Sequence, residues 1–226
     1  VIALERDFRL LAEDPAIASV SADLQPGSLP GEARLVMAVR PAERFDLYAG
    51  YANSRSPSIG GERFAAGASM RNLLAAGFPM TLWNRTASKC EPFRDQATVA
   101  NSPAEAVADA DIAITMLENG EVVDDVLVRQ GAIDALKDGA VLVDMSSVQP
   151  GLARQHAALA EQRNAGYLDA PVSGGTRGAE AGTLSIMVGG AASHLERASA
   201  VLSAMGKVTH IGPVGAGQLA KLANQA

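Results

Sequence analysis

The run DAPVSGGTRGAEAGTLSIMVGG, residues 169–190, carries six glycines and no aromatic side chain. Asp169 to Ser173 read as the end of a strand. Gly174 and Gly175 follow with amides that can turn toward an anion, as a backbone nest does for a carboxylate. The later glycines, at 178, 182, 189 and 190, suit turns and tight strand packing, so only the first pair is a candidate site. A second candidate is Arg85 in LWNRT, where a guanidinium can hold a phosphate through paired charged hydrogen bonds; its bland alternative is a solvated strand-end charge. His156 shares a helix row with Leu152 and Leu159, while His194 and His210 lack a carboxylate at motif distance, so all three are expected to be satisfied structural histidines. Cys90, the single cysteine, reads as an inert thiol and Trp83 as core, and no triad or metal cluster is expected.

Composition bounds what these residues can serve. The 226 residues are 48% hydrophobic and 19% charged, enough to bury the core of one or two globular domains. A net charge of -6, without a Lys/Arg run to neutralise a row of phosphates, argues against nucleic acid as a partner. An apolar stretch of spanning length and a signal peptide are both missing, and no membrane partner is expected for residues 77–226.

The elements that must position the candidates alternate along residues 77–226. Short β-rich runs such as DIAITML, AVLVDMS, GYLDAPVS and LSIMVGG are separated by Ala/Leu-rich stretches with helical spacing, such as GLARQHAALAEQR and HLERASAVLSAMG. Strands apolar on both faces, with helices between them, predict a doubly wound α/β domain around a parallel sheet. Ligands of such sheets sit beyond the carboxyl ends of the strands. Asn84, Arg85 and Thr86 stand where a dinucleotide fold meets the adenosine ribose, and an arginine there without a carboxylate favours NADP, with NAD possible. Met116 and Leu117 in TMLENG, and Ser147 in DMSSVQPG, end the next strands; Ser146 or Ser147 either caps the following helix or contacts a cofactor.

Four runs, WNRT, DMSS, DAPVSGGTRGAEAGTLSIMVGG and GAGQLAKLANQ, in that order over about residues 77–226, resemble the β-hydroxyacid dehydrogenases. This 6-phosphogluconate dehydrogenase-like group includes 3-hydroxyisobutyrate dehydrogenase and tartronate semialdehyde reductase. The resemblance implies a Rossmann-like, NAD(P)-dependent oxidoreductase that moves hydride between nicotinamide and a small 3-hydroxy acid or its semialdehyde. Ser173, Gly174 and Gly175 would hold the substrate carboxylate, and Lys221 would be the catalytic lysine that gives a proton to a carbonyl oxygen and takes it back. Without the flanking motif, Lys221 would read as a surface lysine on an Ala/Leu helix. Asn224 and Gln225 would supply the amide side chains that follow this lysine, and the KLANQ form resembles the tartronate semialdehyde reductase branch. Cofactor contacts would fall on Asn84, Arg85, Thr86, Met116, Leu117 and Ser147. A small carboxylate partner, a cytoplasmic location and homo-oligomerisation of full-length relatives are implied too.

The first third of the sequence departs from that pattern. G-x-G-x-x-G is missing; GGERFAAGASMRNLLAAGF stands before the first helix, with only Gly67 matching the last glycine. Met70, Leu73, Leu74 and Gly77 are spaced for a helix packed on a sheet. Residues 1–76 instead resemble the last POTRA repeat and first barrel hairpin of two-partner secretion transporters, with Phe45, Leu47, Ala49 and Tyr51, then Phe64, Ala66, Ala68 and Met70, alternating as half-apolar strands. A domain division at 76/77 is expected, as is a fused or misassembled chain without the family's C-terminal helical domain and with weak or absent catalysis of its own. Two further readings stay open: a transporter fragment, and an inactive nucleotide- or carboxylate-binding module. Leu35 to Val39 are a candidate replacement for the missing first strand of the sheet.

Overall fold

The computed structural model describes residues 17–26, 33–41, 49–50 and 62–225. The chain divides into two compact units, Val1–Arg44 and Phe45–Ala226. In the first, β1 (Ile17–Pro26) and β2 (Ala33–Pro41) form a two-stranded antiparallel sheet with Val20 opposite Val39 and Leu24 opposite Leu35. Leu35 to Val39 therefore pair within this hairpin and do not replace the first strand of the larger sheet.

The second unit runs β3 (Ala49–Gly50), α1 (Glu62–Ala75), β4 (Thr81–Leu82), β5 (Thr98–Val99), α2 (Pro103–Val107), β6 (Ile112–Thr115), α3 (Gly120–Asp124), a π-helical turn (Asp125–Arg129), β7 (Val141–Asp144) and α4 (Pro150–Gln162). It continues through β8 (Gly166–Asp169), β9 (Val172–Ser173), α5 (Gly175–Glu180), β10 (Leu184–Gly190), α6 (Ala192–Met205), β11 (Gly206–Gly212) and α7 (Ala216–Gln225). The large sheet has the order β11-β10-β8-β7-β6-β3, with β9 beside β10. All four residues of β6, β7 and β8 are buried, and successive side chains feed opposite sides of the sheet. Ile112, Ile114, Val141, Val143 and Leu168 join one core with Leu73, Leu82 and the α6 residues Val201 and Leu202. Ala113, Leu142 and Tyr167 join the other, with Trp83, Val107, Val123, Ala153 and Ala160.

β3, β6, β7 and β8 are mutually parallel, as expected, but β10 runs antiparallel to β8 and β9 and has β11 parallel beside it. The sheet is mixed. Residues 174–183, which link β9 to β10, are too few for a parallel crossover of a dozen or more residues. At the other side, Ala49 and Gly50 pair with Ile114 and Thr115 and stand, among the described residues, in the place of the first strand. β4 pairs only with β5 among the described residues.

The barrel-hairpin expectation mostly falls on residues outside those described. Where it can be compared, Phe64, Ala66, Ala68 and Met70 lie in helix α1 and not in a strand. Ala and Met suit a helix, and Leu73 is carried to the core at 2% exposure. The helix joins the second unit, ahead of the expected division at 76/77: Asn72 Nδ2 donates to Ala179 O of α5 at 2.6 Å. Past its end, Phe78 N–H bonds Leu73 O at 3.2 Å and Gly77 N–H bonds Leu74 O at 3.0 Å, with Gly77 at φ +82. This is a Schellman cap. No helix among the described residues is long and apolar enough to cross a membrane.

A Cβ on Gly77 would meet nothing within 4 Å, so only its positive φ resists replacement. Gly77→Ala should destabilise the second unit by about 1 kcal/mol, read as a lower urea midpoint at unchanged m-value.

Candidate active site

Asp169 ends β8 with no exposed surface, and its carboxylate builds the site. Oδ1 accepts the Gly215 amide at 2.7 Å and Oδ2 accepts the Gln218 amide at 2.9 Å. These are the start-of-helix donors of α7 that no helical carbonyl can satisfy, and the positive end of the helix dipole favours the negative charge. Burial pushes the Asp169 carboxyl above its ordinary value, while the two amides pull it back. The approach is close because glycine stands on both sides. A Cβ on Gly217 would run into Met187 O and Asp169 O, and one on Gly189 into the Asp169 carboxylate.

One turn further along α7, Lys221 is 8% exposed. Its Nζ donates to Val172 O at 2.7 Å and to Ser173 Oγ at 3.1 Å, and Asn224 Nδ2 donates to the same Oγ at 3.2 Å. The Ser173 hydroxyl accepts twice, so its proton is left to donate to a third group. Gly174 (φ +128), the N-cap of α5, and Gly175 (φ +57), its first residue, follow in backbone conformations that favour glycine.

The ends of β6 and β7 face this helix. Asp144 Oδ1 accepts Thr115 Oγ1 at 2.8 Å and the Ser146 amide at 3.0 Å, and Tyr167 Oη donates to Oδ2 at 3.4 Å. Burial holds the Asp144 carboxyl above its ordinary value. Burial, then the neighbouring Asp144 and Asp169, holds the Tyr167 phenol well above its own, so it stays a donor. Ser146 Oγ accepts the Leu117 amide at 2.8 Å. Gln218 reaches across from α7, donating through Nε2 to Ser146 O at 2.8 Å and accepting Val148 N–H at Oε1 at 3.1 Å. Between these elements lies a cavity of about 710 Å³ lined by Asn119, Ser147, Gln149, Gln155, Gln218 and Lys221, among others.

The structure thus gathers Lys221, Ser173 and Asn224, and places Ser147 on the cavity that Lys221 lines. Gly174 and Gly175 adjoin Ser173; Gln225 ends α7 with its side chain outside the described residues. Met116 and Leu117 send their side chains into the two cores, leaving backbone at the strand end. Asn84, Arg85 and Thr86 follow β4 and are absent from the cavity lining. There Asn84 Oδ1 accepts the Thr86 amide at 2.9 Å, and Arg85 is exposed. Neither Ser146 nor Ser147 caps α4, whose N-cap is Gln149 with Pro150 as its first residue. The expectation of satisfied histidines fails for His156. Its Nε2 meets Asp124 Oδ1 at 3.3 Å, but its Nδ1 is buried with no partner among the described residues. Residues not foreseen are Asp144, Gln218 and the anchoring role of Asp169; the one signal was Gln218 three positions before Lys221, on its helical face. No group of three or more His, Cys, Asp or Glu able to hold a metal occurs among the described residues.

Residues 66–212 match the NAD binding domain of 6-phosphogluconate dehydrogenase. A "probable 3-hydroxyisobutyrate dehydrogenase-like 1, mitochondrial" of Arabidopsis thaliana is 42% identical over 157 residues, 68% of this chain and 47% of that protein. An "NAD-dependent L-serine dehydrogenase" of Pseudomonas aeruginosa is 41% identical over 156 residues, 68% of this chain and 52% of that one. Among solved structures, the Mycobacterium tuberculosis 3-hydroxyisobutyrate dehydrogenase with L-serine superposes at TM-score 0.69 and 36% identity, covering 80% of this chain and 59% of that one. The chain spans about half the length of these curated relatives.

Asp144 binds its proton more tightly folded than unfolded. The unfolded chain therefore holds fewer protons between the two values, and stability falls as pH rises through that window. The contribution is whole below the ordinary carboxylate value and lost above the raised one. Asp144→Asn keeps the shape without the ionisation, so its urea midpoint should decline less than the parent's from acid to neutral pH. Parallel declines would remove Asp144 as the source.

Proposed function

Because this chain belongs to the family of the 6-phosphogluconate dehydrogenase NAD-binding domain, we propose that it is the cofactor- and substrate-binding part of a 3-hydroxy acid dehydrogenase. The observation that carries the proposal is Lys221 Nζ, buried against Val172 O and Ser173 Oγ on a cavity closed by the loops after β6 and β7. A cavity of about 710 Å³ whose lining includes Ser147, Gln218 and Lys221 suits a nicotinamide ring beside a small acid. Asn119, Ser147 and the backbone at Met116 and Leu117 would face the nicotinamide half, and Asn84, Arg85 and Thr86 the adenosine half. When bound, the dinucleotide supplies the hydride acceptor or donor.

The protein's own groups handle the substrate. Ser173 Oγ, with both acceptor sites taken, turns its proton to a carboxylate, and the amides at Gly174 and Gly175 add donors to the same anion. Two of the three Lys221 donors are committed to Val172 and Ser173, which aims the remaining one at an oxygen in the cavity. There it gives a proton as a carbonyl is reduced and recovers it as an alcohol is oxidised. The L-serine and 3-hydroxyisobutyrate named for the relatives are of the size and charge this arrangement takes, so a small hydroxy acid is the proposed substrate class.

Either dinucleotide fits the reading, and we assign the preference to NADP on Arg85 at the end of β4, although one relative is named NAD-dependent. The two resemblances proposed for the chain meet around ASMRNLLAAG, residues 68–77, and the POTRA-like segment ahead of it rests on sequence resemblance and the β1–β2 hairpin.

Titration with NADPH and NADH, followed by the fluorescence of the single tryptophan Trp83, should saturate with NADPH favoured. In Arg85→Glu the NADPH affinity should drop about tenfold or more while NADH changes by less than about threefold, since a charged hydrogen bond is lost to one ligand only. No saturation with either nucleotide would sink the reading. Any oxidation of 3-hydroxyisobutyrate should fall about a hundredfold or more in Lys221→Met, with nucleotide affinity kept; equal rates would exclude the lysine as acid and base.

A further inference from the structure

Gln218 contributes no group to the chemistry above, yet its polar atoms are committed on three sides. Its residue is 1% exposed. The backbone amide is on Asp169, Nε2 donates to Ser146 O and Oε1 accepts Val148 N–H. Ser146 and Val148 are the two neighbours of Ser147, so one side chain grips both flanks of the residue that faces the cavity. Ser146 also holds Leu117 through its hydroxyl and Asp144 through its amide. The chain of contacts therefore runs from the ends of β6 and β7 into α7, one turn before Lys221.

A side-chain amide does this uncharged at any pH. It must donate to a carbonyl and accept from an N–H at once, and it must be long enough to leave the helix and reach both. Asparagine is a methylene short, an ionised glutamate has no proton for Ser146 O, and an apolar side chain leaves two buried backbone groups unpaired.

We propose that Gln218 is a positioning residue that fixes α7 to the loop 145–149 in one register, so that Ser147 and Lys221 face the same cavity. Its consequence for turnover rests on the dehydrogenase reading; the register itself does not.

Lysine acetylation mapped by mass spectrometry tests it on the whole chain, with Lys89, Lys137 and Lys207 as internal controls. In Gln218→Met, Lys221 should acetylate about fivefold faster, the factor expected when one ordinary hydrogen bond no longer favours the held state, while the other three lysines keep their rates. Any hydroxy acid turnover should lose kcat, with the KM for nucleotide unchanged. Gln218→Asn retains an amide that cannot span both partners and should give the same Lys221-specific rise if the methionine variant does not fold. An unchanged Lys221 rate, or a rise shared by all four lysines, overturns the proposal. Failure to bind either nucleotide overturns the dehydrogenase reading, while the labelling contrast alone decides the register.

Discussion

Everything at the candidate site hangs on one buried carboxylate receiving the start of a helix. Asp169 accepts the amides of Gly215 and Gln218, and without that acceptor the first turn of α7 would point unpaired donors into the core of the sheet. An ion that deep is costly unless fully bonded. The helix supplies the bonds and its positive end, so the cost of burying the charge and the cost of burying the helix start cancel against each other. The glycines at 189 and 217 follow from the same contact, since a side chain on either would hold helix and strand apart.

That contact also sets where Lys221 sits. With the start of α7 pinned at the end of β8, a lysine one turn along must fall over β9, and Val172 and Ser173 are there to receive it. The antiparallel β10 matters here. It pairs with both β8 and β9, placing Gly189 opposite Asp169 and Ser185 opposite Ser173, so the anchor and the serine ride on one neighbouring strand. A parallel strand in that position would need a longer crossover and would take away the short link through Gly174, Gly175 and α5.

Much of this was legible from the sequence, for physical reasons that differ by element. β6, β7 and β8 stand out because burial on both faces leaves no room for polar alternation, and Ser173, Lys221 and Asn224 because their motifs are contiguous and carry distinctive residues. The direction of β10 was not legible, because an apolar strand reads the same in either sense. The capping expectation at Ser146 and Ser147 failed because Pro150 starts α4 later and leaves Ser146 to bond Leu117 instead. Gln218 escaped notice since a glutamine among alanines and leucines is an ordinary helix residue; only the fold brings Ser146 and Val148 to it. Helix α1 was legible as a helix from Met70, but from Phe64 to Met70 its alternating apolar pattern also suited a strand, and the packing of Leu73 and Asn72 decided for helix.

The Lys221 side and the Arg85 side of the sheet's carboxyl end are consequently held in different ways. Around Lys221 the elements are locked by buried carboxylates, an amide bridge and a continuous hydrogen-bonded sheet. Toward Arg85 the described sheet ends at β3, paired with β6, and β4 is hydrogen-bonded as a strand only to β5 among the described residues, while Leu82 of β4 shares a core with Ile112, Ile114 and Leu73. Apolar packing is non-directional and tolerates small sliding, whereas a ladder of hydrogen bonds does not. The Lys221 side is thus fixed by the fold, and the spacing of the Arg85 side rests on core packing between α1, β4 and β6. A ligand that bridges both sides gains from the rigid one and must itself order the other. If the proposed dinucleotide spans both sides, its affinity depends on that softer packing more than the placement of the Lys221 amine does.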